Sequence, residues 1–427
     1  MNSSFKDHMG RPIVVVTGVG LITSLGEGKE DNWRSLTSGL SGVRKISRFS
    51  TEGLRTQIAG IIDCEVGEHY FPPTHSLALA RKTATEAIEQ SGIGSRGSFP
   101  GPLFLAVSPA ETNWDQRMDV YSGSAGADSQ GYDRLLKNVA AGDFAHYYSL
   151  YQFGSIAEHL ADEFGTRGVP ISLTTACASG ATSIQLGVDA IRRGDTDAAL
   201  CVGTDGQICE EMVVRFTLLS ALSTQNDDPQ GASKPFSKAR DGFVMAEGSA
   251  TLVLESYESA TARGAEILGV VRGTGERADT FHRTRSKPDG SAIIETITRS
   301  MADAGLSPGE IDYINAHGTS TPENDKMEYL ALSEALGTHL EGTPISSNKS
   351  MIGHTLSAAG AIEAAISLLT IQAGVIPPTI NCHEQDPNIL MDVVPNIKRE
   401  QAVNTVMSNS FGFGGQNVCL IFSAEPA

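Results

Sequence analysis

The chain has 427 residues, 40% hydrophobic and 19% charged, a balance that suits a soluble globular protein with a sizeable core and disfavours disorder. Its formal net charge of −18 argues against a general nucleic-acid or anionic-membrane binder, because a polyanion is repelled at long range unless a local basic patch overcomes the field. An acidic partner therefore requires such a patch, and the length allows about two or three average domains or one large α/β unit.

From the N-terminus, the Met1 to Arg11 segment is polar and lacks a signal-peptide core, and no apolar run approaches the roughly 18 residues of a spanning helix. IVVVTGVG, from Ile13, reads as a buried strand. LFLAVSPAETN, from Leu103, is a strand breaking into a polar loop. SLTTACASGATSIQLGVDAIRRG, Ser172 to Gly194, is the end of a strand turning sharply into a helix, with Ile184, Val188 and Ile191 at helical spacing and Gly194 closing it. Cys177 then stands beside the helix N-terminus, where exposed N–H groups and the macrodipole favour thiolate over thiol. Small neighbours admit a substrate. A structural cysteine in a small-residue turn is the alternative. DAALCVGTDG, from Asp197, is a further strand.

The second half reuses the order. EIDYINAHGTSTPEND matches the strand-to-loop at Leu103, and PISSNKSMIGHTLSAAGAIEAAISLL matches the strand, turn and helix at Cys177, with Ile362, Ile366 and Leu369 as its apolar stripe. Residue identity between the halves is low, so the repeat is one of elements: an internal duplication with a boundary near Ser256 to Gly269, giving halves 1–262 and 263–427 of an α/β fold.

The six cysteines, Cys64, Cys177, Cys201, Cys209, Cys382 and Cys419, contain no CxxC pair and no zinc-type spacing. Disulfides and structural zinc are disfavoured and a reducing cytoplasm is the default. TGVGLITSLG carries Thr23 and RGTGERAD carries Ala278 where a dinucleotide fingerprint needs its third glycine, and no GxxxxGK[ST] occurs. Four segments instead end strands in Gly/Ser/Thr-rich turns bearing a chemically able group: Cys177, His317 in NAHGTST, Lys349 with His354 in SSNKSMIGHT, and Phe413 in NSFGFGG. Groups at strand ends of α/β sheets converge on one crevice.

In this order and spacing, VVVTGVGLITSLG, TTACASG, KPFSKARDGFVMAEGSATLVLE, NAHGTSTPENDKMEYLAL, SSNKSMIGHTLSAAGAIEA and NSFGFGGQNVCLIF resemble the β-ketoacyl-acyl-carrier-protein synthases of the elongating type I/II class, closest to type II, within the thiolase superfamily. The resemblance implies a five-layered α/β/α/β/α fold of two related halves. It implies a decarboxylating condensation of an acyl thioester, held on Cys177, with malonyl-acyl-carrier protein to give 3-oxoacyl-acyl-carrier protein in fatty-acid elongation. His317 and His354 would stabilise the enolate, and Lys349 with Glu363 would order the site. The backbone N–H groups of Cys177 and Phe413 would form the oxyanion hole, with Phe413 also a gate flanked by Gly412 and Gly414. Thr319 and Thr321 would hold the pantetheine arm, and Phe216 and Phe411 would line the substrate path. An acyl carrier protein and a homodimeric assembly are implied by the resemblance, and no organic cofactor, metal or membrane insertion is implied.

The match departs from the family where relatives carry a basic docking patch. HYFPPTHSLALARK is poor in Lys and Arg, and Ser220 stands where relatives often carry arginine, leaving Arg81, Lys82 and Arg215 to compensate. That departure raises a specialised long-chain or polyketide-type synthase with a dedicated carrier, and the LFLAVSPAETNW loop differs from the Gly-rich version of many relatives. A thiolase is disfavoured because its second cysteine is missing from NSFGFGGQN, an initiating synthase because of the second histidine in GHT, and a non-catalytic chain-length partner because Cys177, His317, Lys349 and His354 are all present.

Overall fold

The computed structural model describes residues 5–63 and 70–426, so Cys64 lies outside the described residues. Strands β1 (Val14–Thr23), β2 (Leu103–Val107), β3 (Ile171–Leu173), β4 (Ala198–Asp205), β5 (Gly248–Ser256), β6 (Gly269–Ala278), β7 (Tyr313–Asn315), β8 (Pro344–Ser346), β9 (Asp392–Val393), β10 (Thr405–Phe411) and β11 (Gln416–Ser423) run in the order β9-β8-β7-β10-β11-β6-β1-β5-β4-β2-β3. Outward from the β1/β6 seam, the two sides repeat. β1 is antiparallel to β5 and β5 to β4, then β4/β2 and β2/β3 are parallel. On the other side β6 is antiparallel to β11 and β11 to β10, then β10/β7 and β7/β8 are parallel. The seam itself holds two register pairs, Val15 with Val270 and Val16 with Gly269.

Residue alternation along the central strands explains the layering, since successive side chains point to opposite faces. In β11, Val418, Leu420 and Phe422 join the inner core, while Cys419 and Ile421 join an outer one. In β4, Ala199 and Cys201 face inward, while Leu200 and Val202 face outward. Both faces are apolar because both are covered. The inner layer is the pair of helices Ser179–Arg192 and Ala359–Ala373, contributing Ile184, Val188, Ile362 and Ile366. Outside lie helix Pro72–Ser91 on the first side and helices Ser291–Ala304 and Pro322–Leu336 on the second. The fold is thus the expected α/β/α/β/α stack.

The Ala359–Ala373 helix corrects two sequence readings. With the turn before it, Leu356–Ala373 has the length and composition of a membrane span, which the sequence reading did not recognise. Ser357, Gly360, Glu363, Ser367 and Thr370 interrupt the run, and all five are buried. The helix is covered nearly all round by the two half-sheets and has no one-sided stripe; Leu369 is only partly buried. This is a core helix of a large protein.

The two inner helices touch through glycine. A Cβ on Gly180 would sit 2.5 Å from the Ala361 nitrogen, and one on Gly360 would sit 2.5 Å from the Ala181 nitrogen. Gly203 of β4 leaves room for the Ala361 methyl group, 2.8 Å from where its own Cβ would be. Gly180→Val should therefore force the helices apart and lose about 1–3 kcal/mol, an overpacking cost. A urea midpoint that drops at constant slope would show it, and an unchanged midpoint would mean the crossing is loose.

Candidate active site

Cys177 follows β3 by a tight turn in which Ala176 adopts a positive φ of 50°, a strained conformation for a residue with a Cβ. Ser179 holds the turn, its hydroxyl accepting from the Thr175 N–H at 2.8 Å and donating to the Ala176 carbonyl at 2.6 Å. The helix begins at Ser179 with Ala178 as its cap, so Cys177 lies just ahead of the first turn. Gly412 packs against this backbone: a Cβ there would be 2.8 Å from the Thr175 carbonyl oxygen and 3.3 Å from the Cys177 nitrogen.

Cys177, Phe216, His317, Thr319, Thr321, His354, Phe411 and Phe413 all line one cavity. Lys349 and Glu363 stand behind it, each 3% exposed and in direct contact. The expectation of a standing thiolate is not met. Burial pushes the Cys177 thiol up to about 11, against the lowering effects of the Phe413 backbone N–H and the Lys349 charge. That rise is worth about 3 kcal/mol. A helix N-terminus supplies about 2 kcal/mol at most, so burial wins and the resting group is a thiol.

The histidines are neutral for the same reason. Burial lowers both well below the ordinary imidazole range, with Lys349 adding to the effect at each and His354 adding at His317. Lys349 Nζ donates to the His317 carbonyl at 2.8 Å and stands 3.4 Å from His317 Nδ1; the Leu356 backbone N–H donates to His354 Nδ1 at 3.3 Å. A donor at each Nδ1 leaves the hydrogen on each Nε2. The rings meet edge to face with centroids 5.4 Å apart, within a chain of aromatic contacts in which Phe243 touches His354 and Phe411 touches His317.

Sequence reasoning missed two residues here. Phe243 lines the cavity and packs at 5.2 Å on His354, but it stands in a stretch with no periodic pattern. Glu328, on helix Pro322–Leu336, accepts the backbone N–H groups of His317 and Gly318, each at 2.8 Å. Burial lifts its carboxyl to about 7, those two donors opposing. Its signal was a carboxylate one turn before Leu332 and one turn after Asp325, on the helix face that the fold buries. Thr321 caps that helix by accepting from the Asn324 N–H at 3.2 Å, and its hydroxyl lies 2.9 Å from that of Thr319.

The cations expected to compensate for the poor docking patch are already engaged. Arg81 pairs with Glu163 at 2.6 Å, Lys82 with Glu27 at 2.6 Å, and Arg215 with Glu111. The Ser108–Asn113 loop does not line the cavity; it leads into helix Trp114–Ser122 through an Asn113/Gln116 capping box. Among the described residues no group of three or more His, Cys, Asp or Glu side chains could hold a metal ion. Removing the Lys349 charge strands the buried Glu363 carboxylate. Lys349→Met should lose about 3–5 kcal/mol in denaturant titration, and adding Glu363→Gln should restore part of it. Equal stability of Lys349→Met and the parent would refute a structural role for the pair.

Comparison with known proteins fits this geometry. Residues 11–260 match the beta-ketoacyl synthase N-terminal domain and residues 268–383 the beta-ketoacyl synthase C-terminal domain. The chain is 39% identical to the tetracenomycin polyketide synthase ketoacyl synthase alpha subunit of Streptomyces glaucescens, covering 94% of this chain and 95% of that protein. It is 37% identical to 3-oxoacyl-[acyl-carrier-protein] synthase 2 of Coxiella burnetii, covering 96% and 98%. Among solved structures, a type II ketosynthase bound to a hexaketide, in complex with its acyl-carrier protein, superposes with a TM-score of 0.86 at 30% identity over 97% of this chain and all of that one. The ishigamide ketosynthase/chain length factor superposes at 0.80 with 35% identity over the same shares. The chain belongs to the β-ketoacyl synthase family and carries its thiolase-type fold.

Proposed function

We propose that this enzyme condenses an acyl group held on Cys177 with malonyl-acyl-carrier protein, releasing carbon dioxide and 3-oxoacyl-acyl-carrier protein, in fatty-acid elongation. The observation that carries the reading is one cavity holding a thiol and two imidazoles whose Nδ1 atoms each face a donor, an arrangement that assigns the hydrogen to Nε2. Cys177 Sγ adds to the acyl thioester carbonyl, the bond to the carrier sulfur breaks, and the thiol proton ends on that departing sulfur. The malonyl carboxylate then leaves as carbon dioxide, and its bonding electrons flow to the thioester oxygen. Two neutral N–H donors meet the enolate charge without first adding positive charge to a dry site. The carbanion attacks the acyl-Cys177 carbonyl, and the backbone N–H groups of Cys177 and Phe413 receive the resulting oxyanion. Collapse breaks the bond to Cys177 and releases its thiolate, which takes a proton from solvent water, since its first proton left with the carrier sulfur.

Lys349 acts by holding His317 in its tautomer, with Glu363 balancing the charge; Thr319 and Thr321 hold the pantetheine arm, and Phe216 and Phe411 its acyl path. The division into halves 1–262 and 263–427 is supported by the mirrored strand orders about the β1/β6 seam. A homodimer is supported by β3, which ends the sheet path with Val169 86% and Ile171 45% exposed beside it, an edge that invites a second copy. Cytoplasmic placement suits a nucleophile that must stay reduced. A specialised synthase with its own carrier protein is the second reading, favoured by the ion-paired state of Arg81, Lys82 and Arg215. Equal condensation rates with a standard elongation carrier would count against it.

His317→Ala and His354→Ala should each cut condensation by roughly 100- to 1000-fold, the usual loss for one donor to a developing oxyanion. Cys177→Ser should abolish the acyl-enzyme mass; a full condensation rate in that variant would sink the assignment. Alkylation at Cys177, followed by peptide mass spectrometry, should keep accelerating as pH rises toward about 11, because the reactive thiolate is the minor form below that value. A plateau at neutral pH would show a standing thiolate instead.

A further inference from the structure

One wall of the cavity mouth is the segment Asp279–Lys287. The Asp279 carboxylate ties its ends, accepting from the Phe281 N–H at 2.9 Å and the Lys287 N–H at 2.7 Å. The segment rests on the turn that carries Phe413: the Gly414 N–H donates to the Arg283 carbonyl and the Asp279 N–H to the Gly415 carbonyl, both at 2.7 Å. Gly415 makes that approach possible, since a Cβ there would be 1.9 Å from the Asp279 oxygen. Two arginines, Arg283 and Arg285, are thereby fixed at the mouth, both exposed and both lining the cavity.

Neither guanidinium has a carboxylate or any other acceptor among the described residues; Glu323, also lining the mouth, pairs with neither. The contrast with Arg81, Lys82 and Arg215, all ion-paired, is informative in a chain of net charge −18. Two unpaired planar donor forks on a braced backbone suit a phosphate, whose oxygens accept bidentate hydrogen bonds. Because they line the cavity at its mouth, whatever enters it passes them. We propose that Arg283 and Arg285 bind the phosphate of the phosphopantetheine arm and set the depth at which the thioester halts beside Cys177. This rests on the acyl-transfer reading above.

The test compares acylation of Cys177 by three donors of one acyl chain: acyl-pantetheine, acyl-phosphopantetheine and acyl-carrier protein. The parent enzyme should prefer the phosphorylated arm over the bare one. Arg283→Ala/Arg285→Ala should erase that preference, losing roughly ten- to a hundred-fold on acyl-phosphopantetheine while its rate on acyl-pantetheine and its melting temperature stay put. A preference that survives in the double variant overturns the proposal, as does an equal loss on both small donors, which would mean a damaged cavity. Loss confined to the acyl-carrier protein would assign the arginines to the carrier's surface and overturn the phosphate assignment. Failure of every donor to acylate the parent enzyme would overturn the acyl-transfer reading itself.

Discussion

The site depends on backbone meeting backbone where the two inner helices begin. Gly180 and Gly360 both lie in the first turns of their helices, three and six residues after Cys177 and His354. With no Cβ at either contact, the helices close to main-chain distance, and the loops that precede them are drawn together at the same end of the molecule. The thiol comes from one half of the chain and both imidazoles from the other. Their meeting is a consequence of how tightly this interior crossing packs.

Depth inside the protein then sets the protonation states. The same desolvation that keeps the thiol protonated strips the proton from each imidazolium, so the resting site carries little charge apart from the Lys349–Glu363 pair behind it. Such a site is poor at holding a thiolate in waiting and good at stabilising charge that appears only during reaction, because fixed dipoles act strongly where water is scarce. Backbone strain accompanies this arrangement. Ala176, Ser320 and Leu356, with φ of 50°, 70° and 47°, lie next to Cys177, between Thr319 and Thr321, and two residues beyond His354. Each costs on the order of 1–3 kcal/mol and is held by its surroundings.

Much of this was legible in the sequence because the chemistry is local. A cysteine among small residues at a strand-to-helix turn, and histidines in Gly/Thr loops after buried strands, announce themselves over a few positions, and the order of segments identified the family. What escaped depends on the folded interior. Glu328 is a helical carboxylate like many others until the His317 and Gly318 N–H groups are seen to point at it. The protonated state of Cys177 follows from burial that no window of sequence reveals. Leu356–Ala373 did not register as a long apolar span because its small polar residues look like a surface face, whereas they fit against a second helix and two half-sheets. The positive φ at Ala176 has no residue-type signal, since alanine gives no hint of a left-handed turn.

The narrow seam between the half-sheets bears on how the chain assembles. β6 has its long partner in β11, residues 416–423, far downstream, and touches β1 through only two register pairs. Until residues 405–423 arrive, the second half lacks the hairpin that separates β6 from β7, and the inner helices lack their far cover. Pairings of such long sequence separation are slow to form, and the unpaired strands are exposed while they wait. During synthesis on the ribosome, the interior closes only after residues 405–423 have been made, and the apolar faces of the earlier strands and helices stay open to water until then.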